Sequence, residues 1–258
     1  MVNPARGVLY PDRLPAFHRL PAPPSAEELV DWIWIPEWKI EPGGTSRQEV
    51  VAYPALNLVV ERDGVSIIGA TTRLSHRDLV GSGWAVGALL RPAAVIALVP
   101  DPAALRDGAR QLDAPGLLDA VRSAMATGEG RRERAASALA AWLSRRVGPV
   151  PEPARQANAM ADLLMGDPSV RDPEAAAARL SVSVRTLQRM AHRAVGLPPA
   201  AMIRRRRLQE AAALVREGHD VDLATIAADL GYADHAHLTN DFRAVLGFTP
   251  SAYRAGPR

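Results

Sequence analysis

A chain of 258 residues, 48% of them apolar, with no cysteine and a net charge of +3, has room for one or two packed domains. The lack of cysteine excludes disulfides, thiolate zinc sites, thiol nucleophiles and thiol redox sensing. No run of about 18 apolar residues occurs, and the opening MVNPARGVLYPD lacks the apolar stretch of a secretion signal, so the expectation is a cytoplasmic protein with no membrane span.

The basic residues are nearly all arginine, Lys39 being the only lysine. Arginine favours bidentate contact with phosphate or guanine, although GC-rich coding is the plainer cause of the bias. From Arg155 onward there are 14 Arg against 11 Asp and Glu, whereas residues 1–154 carry 17 basic and 17 acidic side chains. The excess therefore lies wholly in the C-terminal part, as a nucleic-acid footprint would.

Residues 1–25 are rich in proline and read as an extended arm. From Leu29 the pattern becomes strand-like. The aromatic and β-branched run Asp31-Trp-Ile-Trp-Ile35 is expected to stop at Pro36. Strands over Glu49–Tyr53, Leu56–Glu61, Val65–Ala70 and Trp84–Leu90 follow, the middle two forming a hairpin across Arg62-Asp63-Gly64. Short strands broken by Gly and Pro predict a small sheet or barrel. After Pro92 the period changes, and helices are predicted over Ala93–Val99, Pro115–Ala126 and Arg131–Arg146. Gly148-Pro-Val-Pro-Glu-Pro153 breaks the pattern and reads as a linker. The expected class is α+β: a strand-rich, barrel-like N-terminal domain with trailing helices over 1–147, the linker 148–153, and an all-α domain over 154–258.

Beyond the linker the predicted helices are Ala154–Met165 and then about 173–180, 184–195, 199–217, 223–230 and 235–246. Asp172-Pro173 supplies an N-cap followed by proline at the first helical position, Gly218 stops the long helix and Asp222 is placed to cap the next. Two stretches repeat at an offset of about 50 residues. Ala177-Ala-Arg-Leu-Ser-Val-Ser-Val-Arg-Thr-Leu-Gln-Arg189 closes at Gly196-Leu-Pro-Pro199, and Ala227-Ala-Asp-Leu-Gly-Tyr-Ala-Asp-His-Ala-His-Leu-Thr-Asn240 closes at Gly247-Phe-Thr-Pro250. Each reads as a helix-turn-helix. Ala227 permits close helix approach, Gly231 takes positive φ without steric cost, and Ile226, Leu230, Leu238 and Phe242 supply the locking apolar faces. The outward face of each second helix is left polar, as entry into a major groove requires.

These residues resemble the C-terminal region of AraC/XylS-type transcriptional regulators, in which two helix-turn-helix units flank a long linking helix. The matching motifs are Gly231-Tyr-Ala-Asp234, Leu238-Thr-Asn-Asp-Phe242, Gly247-Phe-Thr-Pro250, Tyr253-Arg254, Ser183-Val-Arg-Thr-Leu-Gln-Arg189 and Arg207-Leu208. The resemblance implies base-reading roles for Arg185, Thr186, Gln188 and Arg189 in the first unit and for His235, Ala236, His237 and Asn240 in the second. It implies phosphate contacts for Ser183, Arg204, Arg205 and Thr239. The chemistry agrees, since Arg pairs with guanine, Gln and Asn with adenine, and Thr or Ala meets the thymine methyl. The first helix has the richer set. Departures from the family pattern are Ser181 for the turn glycine, Ala191 for an aromatic, Arg206 for an apolar residue and Asn240 for arginine. They predict looser packing of the first unit. The run Arg204–Arg207 covers a full helical turn, so only one or two of its members are expected at phosphate.

In the N-terminal half, Gly69-Ala-Thr-Thr-Arg73 and Gly87-Ala-Leu-Leu-Arg-Pro-Ala-Ala94 resemble an uncharacterised domain found ahead of some AraC-type DNA-binding domains, chiefly in actinobacteria. That resemblance implies a sensing or dimerising role. Trp32, Trp34, Trp38 and Trp84 suit either a ligand pocket, with Trp32, Trp34 and Trp84 as its wall, or core and interface positions. His235 and His237 diverge on a helix and His76 stands alone, so no metal site is expected. No nucleophile elbow, phosphate loop or dinucleotide fingerprint occurs, and neither an enzyme nor a cofactor is expected. The expected function is a sequence-specific transcriptional regulator of promoter DNA that contacts RNA polymerase and is controlled through its N-terminal domain by a small-molecule effector or by homodimerisation. The alternatives are an interaction module that has lost DNA binding and a DNA-targeted enzyme.

Overall fold

A computed structural model of the chain describes residues 16–50, 54–72, 74–126, 128–217 and 222–255. The expected arm over 1–15, the strand positions 51–53 and the helix stop at Gly218 lie outside these residues.

Among the described residues eight strands are formed: β1 (Ala16–Pro21), β2 (Val30–Lys39), β3 (Thr45–Val50), β4 (Asn57–Glu61), β5 (Gly64–Ile68), β6 (Ser75–Val80), β7 (Ser82–Leu90) and β8 (Ala109–Gln111). Six of them make an antiparallel sheet in the order β1-β2-β7-β4-β5-β8, and β3 pairs with β6 in a separate two-stranded ribbon. Of the small sheet or barrel expected, it is the sheet that forms: among the described residues β1 and β8 are its open edges. The arm expectation gives way to β1, which pairs with β2 from Ala16 to Pro21. β2 runs through Pro36, which pairs with Phe17 on β1, while on the β7 side the pairing skips Ile35 and Pro36 and resumes in the same register at Glu37. A residue without an N–H is tolerated at such a gap in the ladder. The β4–β5 hairpin forms as expected, with Glu61 opposite Gly64.

Alternation along the strands gives the sheet one deeply apolar face. Ile33, Ile35, Leu58, Val60, Val65, Ile67, Val86 and Ala88 are buried against helices α1 (Pro92–Leu98), α2 (Pro115–Ala126) and α3 (Arg131–Val147). On the opposite face Trp34 lies flat across Gly87 of the neighbouring strand, where a Cβ would stand 2.1 Å from the indole. Its Nε1 donates to Asn57 Oδ1 at 2.9 Å. A large ring over a strand glycine restores the packing which that glycine lacks.

Gly148, at φ 73°, ends α3, and α4 (Glu152–Gly166) takes Glu152 and Pro153 of the predicted linker into its first turn. Then come α5 (Pro173–Arg179), α6 (Val184–Val195), α7 (Pro199–Glu217), α8 (Leu223–Asp229), α9 (His235–Leu246) and α10 (Pro250–Arg254). Only α10 was not anticipated, although Thr249 caps it by accepting from Ala252 N, with Pro250 at its first position. Two cores form here. Met160, Leu164, Ala176, Leu187, Ala191 and Met202 fill the first, and Leu208, Ala211, Ile226, Leu238, Phe242 and Tyr253 fill the second. α7 contributes its N-terminal half to one and its C-terminal half to the other. Among the described residues no helix is long and apolar enough to cross a membrane.

The turn at Ser181 has the same left-handed backbone as Gly231, φ 54° against 72°. A side chain there costs roughly 1–2 kcal/mol, partly offset by the smaller entropy it loses on folding. Ser181→Gly is therefore expected to raise stability by about 0.5–1 kcal/mol, read as a shift in urea midpoint at unchanged slope. An unchanged or lower midpoint would show that the turn is not strained.

Candidate nucleic-acid interface

The two helix-turn-helix units share hydrogen bonds as well as sequence. In the first, Leu180 N donates to Ala176 O, Ser181 N to Ala178 O and Val182 N to Ala177 O, at 3.1, 3.1 and 3.0 Å. In the second, Leu230 N donates to Ile226 O, Gly231 N to Ala228 O and Tyr232 N to Ala227 O, at 3.1, 3.0 and 2.8 Å. The second helix of each is opened by a side-chain cap: Ser183 Oγ accepts from Thr186 N at 3.1 Å, and Asp234 Oδ1 accepts from His237 N at 2.7 Å. Gly196 and Gly247, both left-handed, close them. Ala191, at the place of the missing aromatic, is fully buried in the core of the first unit.

A helix-turn-helix domain model matches residues 176–256. Over 83 residues the chain is 37% identical to the HTH-type transcriptional activator RhaS of Escherichia fergusonii, a match covering 32% of this chain and 30% of RhaS. Both matches fall on the C-terminal helices, which are thus similar to the helix-turn-helix domain of that activator. The chain spans less than a third of the RhaS length in that match. A domain of unknown function, DUF6597, matches residues 18–108, in agreement with the uncharacterised domain expected ahead of the helix-turn-helix units. Among solved structures, apo ToxT from Vibrio cholerae is 9% identical at a TM-score of 0.44, covering 86% of this chain and 97% of that one. CdpR from Pseudomonas aeruginosa is 19% identical at 0.33, covering 68% and 46%. Neither superposition is close enough to bear on this chain's site.

Within the helix-turn-helix domain, α6 exposes Arg185, Gln188 and Arg189 on one side, while Thr186 is half-buried, its Oγ1 3.0 Å from Ser183 Oγ in the cap. One turn on, His192 and Arg193 extend the same exposed arc. The sequence reading missed these two, although their spacing of four from Gln188 and Arg189 is the signal that finds them. Arg185, Arg189 and Arg193 thus form a ridge with no ion pair among the described residues, on a helix that carries no acid. On α9 the outward line is Ala236, Asn240 and Arg243, the last also missed. Thr239 is half-buried beside it. His235 is exposed but stands on the line of Leu238 and Phe242, three and seven residues on, so it does not join that group. His237 packs edge-on against Tyr232, ring centroids 5.2 Å apart.

The arginine run on α7 is mostly internal, which corrects the phosphate expectation. Arg204 makes a bidentate pair with Asp241 of α9 at 2.8 and 2.6 Å and keeps 48% of its side chain exposed. Arg205 is only 7% exposed and turned away from solvent; burial, then the charge of Arg204, lowers its pKa to about 10. Arg207 lies 4.0 Å over the ring of Tyr232, whose hydroxyl pKa is driven up by burial. Arg206 is 1% exposed and donates to the carbonyls of Leu164 at 3.0 Å, Asp167, and Val170 at 2.6 Å, with Glu210 at 3.3 Å. Successive residues on a helix point about 100° apart, so four arginines reach four surroundings.

The N-terminal region touches both units. Asn158 of α4 accepts from Ala93 N at 2.9 Å and donates to Glu28 O at 2.8 Å. Arg91 bridges Asp31 and Asp162, Arg106 donates to Gly196 O at 2.9 Å, and Leu74 N donates to Val245 O at 2.9 Å. A cleft of about 310 Å³ at this junction has Trp32, Leu56 and Val95 on one wall and Met165, Val195 and Met202 on the other. Trp84 lines a separate cleft at the far end of β7, and Trp34 lines neither. The three tryptophans therefore do not converge on one pocket.

Arg206→Leu removes the donor for three carbonyls and should cost about 3 kcal/mol or more in urea unfolding, with Arg206→Lys restoring only part. A loss under about 1 kcal/mol would mean that the carbonyls find other donors.

Proposed function

We propose that the chain is a sequence-specific DNA-binding transcriptional regulator whose two exposed helices, α6 and α9, enter successive major grooves. The observation that carries this reading is the unpaired ridge Arg185, Arg189 and Arg193. Like charges four apart on a helix are destabilising, so an uncompensated line of them suits an anionic partner. α7, at 19 residues, is about 28 Å long and spaces the units near the roughly 34 Å repeat of the groove. In this reading Arg185, Gln188, Arg189 and Asn240 read bases, Ala236 meets a thymine methyl, and Ser183, Thr239, Arg193 and Arg243 lie beside phosphates. Arg204 reaches phosphate only if its Asp241 pair opens.

The same proposal divides the chain at 148–153 into a controlling N-terminal domain and a DNA-binding domain, acting in the cytoplasm on promoter DNA and RNA polymerase. An effector or homodimerisation acts by favouring one arrangement of the two regions over another. The contacts of Gly196 and Val245 with the N-terminal region support such coupling. Nothing in the proposal calls on catalysis.

Binding titrations against genomic fragments at several salt concentrations test it: a steep loss with salt plus a sequence-specific excess is expected. If no fragment exceeds nonspecific DNA, the proposal fails. On a specific site Arg189→Ala should cost about 1–3 kcal/mol and relax preference at one base. Arg193→Ala should weaken all sequences alike and flatten the salt slope by about 1; the opposite pattern would exchange the two roles.

A further inference from the structure

Asp241 is the one acid of α9. It follows Asn240 and is turned about 100° from the outward line of Ala236, Asn240 and Arg243. His237, one turn back on the same flank, packs against Tyr232, and Arg207 of α7 covers that ring. This flank of α9 therefore faces α7 and the turn of the second unit. A helix lying in a major groove has a phosphate strand along each flank. Arg204, reaching from α7 to this flank with 48% of its side chain exposed, stands where such a strand would pass.

The guanidinium is already committed. Nε of Arg204 donates to Asp241 Oδ2 at 2.8 Å and Nη2 donates to Oδ1 at 2.6 Å. Two parallel bonds from one edge of the guanidinium are also how arginine takes two oxygens of a phosphate. The first unit is arranged otherwise: α6 carries no acid, and Arg185, Arg189 and Arg193 have no ion pair among the described residues.

We propose that Asp241 is an internal stand-in for phosphate, which occupies Arg204 and withholds one backbone contact from the second unit. The proposal rests on the reading of α6 and α9 as helices that enter DNA, and adds to it an attenuating role for an acid on α9. A phosphate approaching Arg204 must displace a carboxylate that offers the same pair of oxygens. The exchange would leave Asp241, its side chain only 13% exposed, without its cation and beside a second negative charge. The pair therefore stays closed on DNA, and α9 adds less affinity than α6. Phosphate contacts carry no base information, so Asp241 sets how strongly the second unit holds DNA and not which bases it reads.

Fluorescence anisotropy of the full chain, across a salt series, on a labelled duplex of mixed sequence and on a genomic fragment that it selects, tests the proposal. Asp241→Asn should tighten both by about threefold or more, steepen the dependence of log affinity on log salt by about 1, and leave the ratio between the two unchanged. The gain should vanish in the double variant Asp241→Asn, Arg204→Gln. Asp229→Asn makes the same change of charge at an exposed position on α8 and should leave the salt slope as it is. Circular dichroism establishes folding, and Asp241→Ala serves in place of the amide variant where that one does not fold. An affinity unchanged or lowered in the folded variant, or an equal steepening with Asp229→Asn, would overturn the proposal alone. A wild-type chain that holds neither duplex would overturn the DNA-binding reading and this proposal with it.

Discussion

A single buried guanidinium fixes the origin of the whole C-terminal half. The last carbonyls of any helix lack intrahelical donors, and leaving them buried and bare costs about 1–3 kcal/mol each. Arg206 supplies donors to Leu164 at the end of α4 and to Asp167 and Val170 in the loop beyond it. Its charge also sits where the negative end of the α4 dipole points. The path from α4 into α5 is thus set from α7, the helix that carries both units. An apolar residue at this place would fill the volume and leave the carbonyls unmet, so Arg206 packs the first unit tightly rather than loosening it.

The repeated units are alike in their backbones and unlike in how their outer helices are held. α6 is attached to the N-terminal region through its closing glycine and leaves its basic ridge uncommitted. α9 is tied to α7 through Arg204 and Asp241, and its neighbouring turn is covered by Arg207 over Tyr232. The burial of Arg205 and Arg206 costs solvation that only good internal partners offset. With Arg205 and Arg206 buried and Arg204 paired to Asp241, the basic run contributes little uncompensated exposed charge, and α6 carries most of it.

The helical half was largely legible in the sequence because its signals are local: Asp172, Ser183 and Asp234 cap helices within three residues of themselves, and Pro173, Pro199 and Pro250 stand at helix starts. Hidden were the directions of the arginines, since each partner lies far along the chain, at Asp241 or at Leu164 to Val170. In the sheet, the strand character of Asp31 to Ile35 was legible, but not that β2 runs on to Lys39 and carries Trp38 to the other end of the sheet. Proline misled twice, at β1 and at Pro36, because an edge pairing and a gap in the ladder hide a missing N–H. Arg193, His192 and Arg243 lay in plain view one turn beyond where the reading stopped.

The seam between the N-terminal region and the two units is made in large part of main chain. Gly196 lies against Pro102 and Ala103 with no room for a Cβ, which would stand 2.7 Å from the backbone. Arg106 meets the carbonyl of the same glycine, and Leu74 and Val245 join amide to carbonyl. Such contacts tie the position of one backbone to the other, and at Gly196 any side chain would push the two halves apart.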